Sequence, residues 1–140
     1  MQKLSDIMTR DVQTVPPTCS LQEVATQMRE HDVGAIPVCD GTKLLGVITD
    51  RDIAVRSTAN GQDPKSTKVS DVMSPEVSWC FEDADVAEAV RTMEARQLRR
   101  IPIVSRDKKL VGIVALADLA RSHASDQTKA DGLEGVSQPR

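Results

Sequence analysis

Two matching stretches of this 140-residue chain each begin with a glycine and end six residues later with an aspartate, Gly46 with Asp52 and Gly112 with Asp118. In the stretch 46–52 an apolar strand is predicted to end where a helix begins. Thr49 and Asp52 then lie one helical turn apart, so both side chains can face one ligand. A carboxylate can accept two hydrogen bonds from the cis-diol of a ribose, and charged acceptors form the stronger bonds.

The same spacing also has a purely structural interpretation, and the two roles can coexist. A threonine followed three residues later by an acidic residue is a common helix start, so Thr49 and Asp52 could simply cap a helix. Gly46 lets another group approach the backbone closely, and a helix start favours a phosphate. The second stretch has Ala115 where the first has Thr49, so it lacks one hydroxyl.

Both stretches belong to an internal duplication. Leu4–Ser57 aligns with Val69–His123 at an offset of 65 residues, with one extra residue before the second glycine. Two copies are too few for an open solenoid, so a closed pair with pseudo-twofold symmetry is predicted. The matching segments are Ser5–Met8 with Ser70–Met73, Ser20–Glu23 with Asp85–Glu88, Ile36–Val38 with Ile101–Ile103, Leu44–Ile48 with Leu110–Val114, and Asp52–Ala54 with Asp118–Ala120.

Each repeat is predicted to form a β-α-β-β-α unit, which gives an α/β (α+β) fold. Capping residues at Ser20 and Asp85 precede apolar stripes at helical spacing. A short run containing a proline follows each helix, and proline disfavours central strands, so these runs are expected at edges or strand starts. A turn, a second strand and a second helix near Asp50 and Leu116 complete the unit. The first strand is expected near Val12–Val15 and Val77–Cys80.

The duplication defines the expected domains. Residues 1–57 form the first repeat, 58–68 a polar linker and 69–123 the second repeat. Residues 124–140 are polar without periodicity, so they are expected to be a disordered tail. Because the chain has one Trp, one Phe and no Tyr, each core must be built from aliphatic side chains.

This duplicated pattern resembles tandem CBS (cystathionine-β-synthase-type) domains, the arrangement called a Bateman module. The resemblance covers about Leu4 to His123. It implies two clefts that bind adenosine derivatives such as AMP, ADP, ATP, NAD or S-adenosylmethionine. It also implies a homodimer that acts through an unknown effector protein, with no obligatory cofactor and no catalytic residues.

The resemblance further implies a set of ligand-binding residues. Arg99 and Arg100 stand where some family members contact a phosphate, and Arg51 could do the same, although each could instead be a solvated surface cation. Trp79 could stack on a base or serve as a packing anchor. The full set is Thr14, Val15, Ala35, Ile36, Pro37, Thr49, Arg51, Asp52, Ser78, Trp79, Arg99, Arg100, Ile101, Pro102, Ala115 and Asp118.

Composition excludes several other classes of function. The net charge of −3 and the pI near 5.4 argue against direct nucleic-acid binding. No apolar run approaches the roughly 18–20 residues that span a bilayer, and no signal peptide is evident, so a cytoplasmic location without membrane association is expected. The two histidines lack metal-ligand spacing, and no metal site is expected.

Two alternative functions stay open. One is a ligand-free protein-interaction domain. The other is a redox switch based on Cys39 or on Cys19, which precedes a predicted helix start where a thiolate would be favoured.

Overall fold

The computed structural model describes residues 2–121, and the predicted tail over 124–140 lies outside the described residues. The fold is α/β, as expected. The first repeat contains α1 (Leu21–His31), β1 (Ala35–Asp40), β2 (Lys43–Thr49) and α2 (Asp50–Asp52). The second contains β3 (Cys80–Phe81), α3 (Val86–Arg96), β4 (Arg100–Val104), β5 (Leu110–Ala115) and α4 (Leu116–Arg121).

The helical path of α2 continues into the predicted linker. A π-helical turn at Ile53–Ser57 is followed by a 3₁₀ turn at Thr58–Asn60, which ends at Gly61 with a positive φ of 72°. Further 3₁₀ turns occupy Leu4–Asp6 and Val69–Asp71. The start of the segment predicted as a linker is therefore helical.

The chain forms two compact units whose limits differ from those of the repeats. The first-repeat unit is Gln13–Val77, and the second-repeat unit combines Met1–Val12 with the chain from Ser78 onward. In the second-repeat unit, Thr9 pairs with Ile113 through two backbone hydrogen bonds of 2.9 Å. In the first-repeat unit, Ser74 pairs with Val47 in the same way at 3.1 and 3.0 Å. We call residues 2–12 and 69–77, which precede the first strand of each repeat, the leading segments. Each leading segment thus packs against the hairpin of the other repeat.

The two long helices begin and end by the same devices in both repeats. The side chain of Ser20 accepts a hydrogen bond from the backbone N–H of Glu23 at 3.1 Å, and Asp85 caps α3 at 2.9 Å. Both helices end at a residue in the left-handed conformation, Asp32 (φ 53°) and Gln97 (φ 54°). The predicted capping residues are confirmed, since their oxygens satisfy backbone donors that a helix start leaves free.

The two hairpins share one register. Ala35 lies opposite Thr49 in β1–β2, and Arg100 lies opposite Ala115 in β4–β5, with a bulge at the matching place in each hairpin. The extra residue of the second repeat enlarges its turn, where Lys108 takes a positive φ of 63°. A longer loop with one left-handed residue is a common hairpin connection.

Two predictions about the strands need correction. The predicted strand near Val12–Val15 is reduced to one parallel bridge between Val15 and Val38, and the predicted strand near Val77–Cys80 lies at Cys80–Phe81. The prediction of an edge strand is wrong for β4, because β4 lies between β3 and β5 in the sheet. Pro102 is tolerated there because β3 is short and pairs only beyond it, so the missing N–H leaves no ladder bond unmade.

Each unit has its own aliphatic core, as the composition predicts. In each, one helix face packs with the strands and with the leading segment from the other repeat, so the segment exchange contributes to core burial. The first-repeat core includes Leu21, Val24, Ile36, Val38, Ile48 and Val69. The second-repeat core includes Leu4, Met93, Ile101, Ile103, Val114 and Leu119.

Gly46 is required for the pairing of β2 with the leading segment. A Cβ atom at this position would lie 2.4 Å from the carbonyl oxygen of Ser74. The close approach predicted from this glycine is therefore made by the protein's own backbone. We expect Gly46→Ala to lower the free energy of unfolding by about 1–3 kcal/mol, because backbone atoms must move apart. Urea denaturation measures this change.

Gly41→Asn is the matched control for that substitution. Gly41 has a φ of 61°, and within residues 2–121 no atom lies closer than 4 Å to the place where its Cβ would stand. Asparagine tolerates this conformation. Its effect should be small, and an equal loss of stability in both variants would contradict the steric explanation.

Candidate functional site

Thr49 and Asp52 form a reciprocal cap where β2 turns into α2. The N–H of Asp52 donates to the Thr49 hydroxyl at 3.0 Å, and the N–H of Thr49 donates to Oδ2 of Asp52 at 3.0 Å. Two backbone donors are satisfied by two side chains three residues apart. The capping interpretation is therefore confirmed, and it uses one of the two carboxylate oxygens of Asp52.

The second oxygen of Asp52 stays accessible. Oδ1 lies 4.0 Å from Nε of Arg56, and the Asp52 side chain is 14% exposed. The Arg56 guanidinium also donates to the carbonyl of Val72 at 3.2 Å. In the described part of the chain Oδ1 accepts no hydrogen bond, so it can still accept one from a ligand hydroxyl.

Asp118 has the same place in the second repeat but a different environment. Its Oδ2 accepts from the N–H of Ala115 at 2.8 Å, and its Oδ1 accepts from the Thr9 hydroxyl at 3.2 Å. The residue is only 5% exposed. Both carboxylate oxygens are thus engaged by the protein, so a ligand hydroxyl would have to compete with Thr9.

Thr9 is a site residue that was not predicted from the sequence. It lies 109 residues from Asp118 in the sequence. In the alignment of the two repeats, however, Thr9 is equivalent to Ser74. Ser74 pairs with Val47 and Thr9 pairs with Ile113, so the two residues have equivalent places once the segment exchange is known. A hydroxyl-bearing residue at the same position of both repeats was the available signal.

The strand starts bring several predicted residues to the same end of each hairpin. Ala35 and Arg100 are exposed, whereas Ile36, Pro37, Ile101 and Pro102 are buried. We define the first corner as Gly34, Ala35 and Thr49–Asp52, and the second corner as Arg99, Arg100 and Ala115–Asp118. Arg51, Arg99 and Arg100 are exposed, which leaves their guanidinium groups accessible to solvent.

The predicted adenine-lining segments contribute mainly backbone. Val15 is 1% exposed and is bonded to β1, donating to the carbonyl of Pro37 at 3.1 Å and accepting from Cys39 at 3.0 Å. Thr14, next to Val15, and Ser78 are both half-buried, and the residue equivalent to Thr14 in the second repeat is Trp79. The side chain of Val15 belongs to the core, so only its backbone could contact a ligand.

Trp79 lies in a small aromatic group on the second-repeat unit. Its ring meets Phe81 edge to face, with centroids 4.9 Å apart, and the ammonium of Lys108 lies 5.6 Å from its centroid. Arg106 stacks on Phe81 and makes a bidentate ion pair with Asp83 at 2.9 Å. Lys108 belongs to the β4–β5 turn, at the other end of that hairpin from the second corner, so this geometry favours the packing role of Trp79.

The three cysteines are buried thiols. Cys19 donates to the Glu23 carboxylate at 3.5 Å, and burial together with that carboxylate raises its pKa to about 11. Burial also raises the pKa of Cys39 and of Cys80. The helix start after Cys19 does not produce a thiolate at neutral pH, so the redox-switch alternative loses its physical basis.

Metal-binding clusters and membrane-spanning helices are both absent from residues 2–121. No three side chains of the His, Cys, Asp or Glu type converge there as a metal ion would require. No helix in the same range is long and apolar enough to cross a membrane.

The sequence and the fold are similar to those of known proteins. A family model described as CBS domain matches the chain twice, over residues 4–57 and 69–125. The CBS domain-containing protein YhcV of Bacillus subtilis (strain 168) is 44% identical over 137 residues, which cover 98% of this chain and 96% of that protein.

Three solved structures are similar to the two repeats together. The crystal structure of Hypoxic Response Protein I with two coordinated zinc ions has a TM-score of 0.78 at 38% identity, covering 86% of this chain and 98% of that one. CBSX2 in complex with AMP has a TM-score of 0.74 at 27% identity, covering 86% and 95%. The CBS domain pair of MJ0100 with 5′-methylthioadenosine and S-adenosyl-L-methionine has a TM-score of 0.70 at 27% identity, covering 86% and 98%.

The bond between Thr9 and Asp118 should stabilise the second-repeat unit. We expect Thr9→Val to lower the free energy of unfolding by about 1–3 kcal/mol, because a buried carboxylate loses a hydrogen-bond donor. Chemical denaturation measures the loss. Thr14→Val is the control, since the Thr14 hydroxyl has no hydrogen-bond partner within residues 2–121; equal losses would show that the Asp118 contact contributes nothing.

The raised thiol pKa of Cys19 predicts a loss of stability at alkaline pH. In the unfolded chain the thiol ionises near its ordinary pKa of 9.0, whereas in the folded protein it keeps its proton up to about 11. The stabilisation is therefore complete below pH 9 and is lost as the pH rises from about 9 to 11. Denaturation on either side of pH 9 measures the free energy of unfolding, which should decrease less for Cys19→Ala than for the wild type as the pH rises. An equal decrease would contradict this assignment.

Proposed function

Because the chain belongs to the CBS domain family, we propose that it is a regulatory module that binds an adenine nucleotide or a related adenosine derivative and carries no catalytic activity of its own. The observation that supports this most directly is the state of Asp52. Its carboxylate is held by the cap through Oδ2, while Oδ1 is left to accept from a ligand. An oriented carboxylate with an accessible oxygen suits a ribose diol.

The class of ligand is proposed from the solved relatives. CBSX2 was crystallised with AMP, and the MJ0100 domain pair with 5′-methylthioadenosine and S-adenosyl-L-methionine. These compounds share the adenosine group and differ at its 5′ substituent. For this chain we propose AMP, ADP, ATP or NAD as the class to test first.

The two corners are proposed to bind unequally. The first offers Thr49 and the accessible oxygen of Asp52, whereas the second has Ala115 and an Asp118 that is already bonded to Thr9. Arg99 and Arg100 give the second corner two exposed guanidinium groups. Binding there should depend more on phosphate charge, since guanidinium groups match phosphate oxygens.

The module is proposed to act as a cytoplasmic homodimer on an effector protein. Val55 is 52% exposed on the helical segment that follows α2, and the neighbouring Ala54 is exposed as well. Burial of such a surface against a second copy would favour association.

We therefore expect a dimer by multi-angle light scattering at protein concentrations in the micromolar range, and Val55→Glu should shift it toward the monomer. Thr58→Glu adds the same charge to an exposed position nearby and serves as the control. A wild-type monomer would contradict the dimer, whereas dissociation by both substitutions would show that Val55 has no specific role.

A ligand-free interaction domain is the second candidate function. It is favoured by the complete internal bonding of Asp118 and by the aromatic surface around Trp79. A thermal-shift screen with adenosine compounds separates the two candidates, because a ligand at about 100 times its Kd adds roughly 2.7 kcal/mol of apparent stability.

Asp52→Asn tests the proposed ribose contact. The amide keeps the size and one acceptor but removes the charge, so affinity for the best nucleotide should fall about 10- to 150-fold, as charge-assisted bonds contribute about 1.5–3 kcal/mol. Calorimetric titration should be run at a temperature where the variant is fully folded. Asp118→Asn should change affinity less, because its carboxylate is already occupied.

The capping role gives a different outcome in the same experiment. If Asp52 acts only as a cap, the variant melts at a lower temperature but binds like the wild type. That result, together with unchanged binding by Asp118→Asn, would overturn the ribose assignment.

A further inference from the structure

We propose that Asp50 is a specificity-determining residue that makes the first corner disfavour a charged 5′-phosphate and favour neutral or cationic adenosine derivatives. The proposal rests on the proposed function, because it requires an adenosine ligand at the corners. The backbone establishes which residues correspond. The N–H of Asp50 donates to the carbonyl of Gly34 at 2.9 Å, and that of Leu116 donates to the carbonyl of Arg99 at 3.2 Å.

The carboxylate of Asp50 lies beside the position where the second corner has the Cβ atom of an arginine. A Cβ atom at Gly34 would be 3.0 Å from Oδ2 and 3.5 Å from Oδ1 of Asp50. The corresponding Cβ in the second corner belongs to Arg99. The first corner therefore has a negative charge beside Gly34, whereas the second has an exposed positive side chain at Arg99, the residue equivalent to Gly34.

The backbone at the start of α2 has no free N–H groups that could bind a phosphate in the way that Arg99 could in the second corner. The N–H of Arg51 donates to Oδ1 of Asp50 at 2.8 Å, and the N–H of Asp52 donates to Thr49 at 3.0 Å. The N–H of Asp50 is used by Gly34. All three amides that begin α2 are thus satisfied within the corner, so an incoming phosphate would meet a carboxylate without compensating backbone donors.

One nearby cation is already engaged by the protein. The guanidinium of Arg56 is shared between Asp52 and the carbonyl of Val72, which leaves the exposed Arg51 as the cation of the first corner. The first corner holds two carboxylates and one guanidinium, and the second holds two guanidinium groups and one carboxylate. The formal charge changes sign between them, which favours ligands of different charge at the two corners.

Residue-resolved NMR titration with adenosine and with AMP tests this proposal. The amides of Gly34 and Gly46 report on the first corner, and that of Gly112 reports on the second. In Asp50→Asn, affinity for AMP at the first corner should rise roughly three- to tenfold while affinity for adenosine stays unchanged, because only AMP carries the repelled charge. Asparagine keeps the side-chain oxygen that accepts from Arg51.

Asp40→Asn is the matched control. Asp40 is exposed at the turn end of the same hairpin, so its substitution removes an equal charge without changing the ratio of the two affinities. Asp50→Leu, which copies Leu116, should change the ratio in the same direction as Asp50→Asn.

The outcomes separate this inference from the proposed function. An unchanged affinity ratio in both Asp50 variants, with adenosine still bound, overturns the role of Asp50 and leaves the proposed function standing. Equal changes in Asp50→Asn and Asp40→Asn also overturn it. The absence of shifts with either compound at either corner of the wild type overturns both proposals.

Discussion

The hydrogen bond from a backbone N–H at the end of a hairpin to an aspartate carboxylate is the interaction on which both corners depend. Oδ2 of Asp52 accepts from Thr49, and Oδ2 of Asp118 accepts from Ala115. The strand must end there because the next residues take helical angles, and the carboxylate satisfies the donor exposed by that change. The same bond orients the second oxygen, so structural and binding roles occupy one residue without conflict.

The leading segments determine how the two corners differ. Each supplies a hydroxyl-bearing residue next to a hairpin glycine, Ser74 in one unit and Thr9 in the other. The Thr9 hydroxyl donates to Oδ1 of Asp118. The equivalent oxygen of Asp52, in the first corner, stays accessible. Differences between two copies of a fold thus come from the segment that packs on each copy as well as from substitutions within it.

The sequence was most informative where local patterns decide structure. The caps at Ser20 and Asp85, the stripes of the long helices and the two hairpins all follow from spacing within about ten residues, and the structure has them as predicted. The Thr9–Asp118 contact could not be found in this way, because it joins residues 109 positions apart. Asp50 was overlooked for another reason: in a capping pattern its position accepts any residue, and its meaning appears only beside Gly34.

The order of the segments has a consequence for how the chain folds during synthesis. The first-repeat unit is continuous, Gln13–Val77, whereas the second-repeat unit is assembled from Met1–Val12 and the chain after Val77. A ribosome delivers domains from the N-terminus onward, so the continuous unit can complete its core while Leu4 and Met8 still lack theirs. Leu4 and Met8 must therefore wait, with their apolar side chains exposed, until α3 and the second hairpin have emerged.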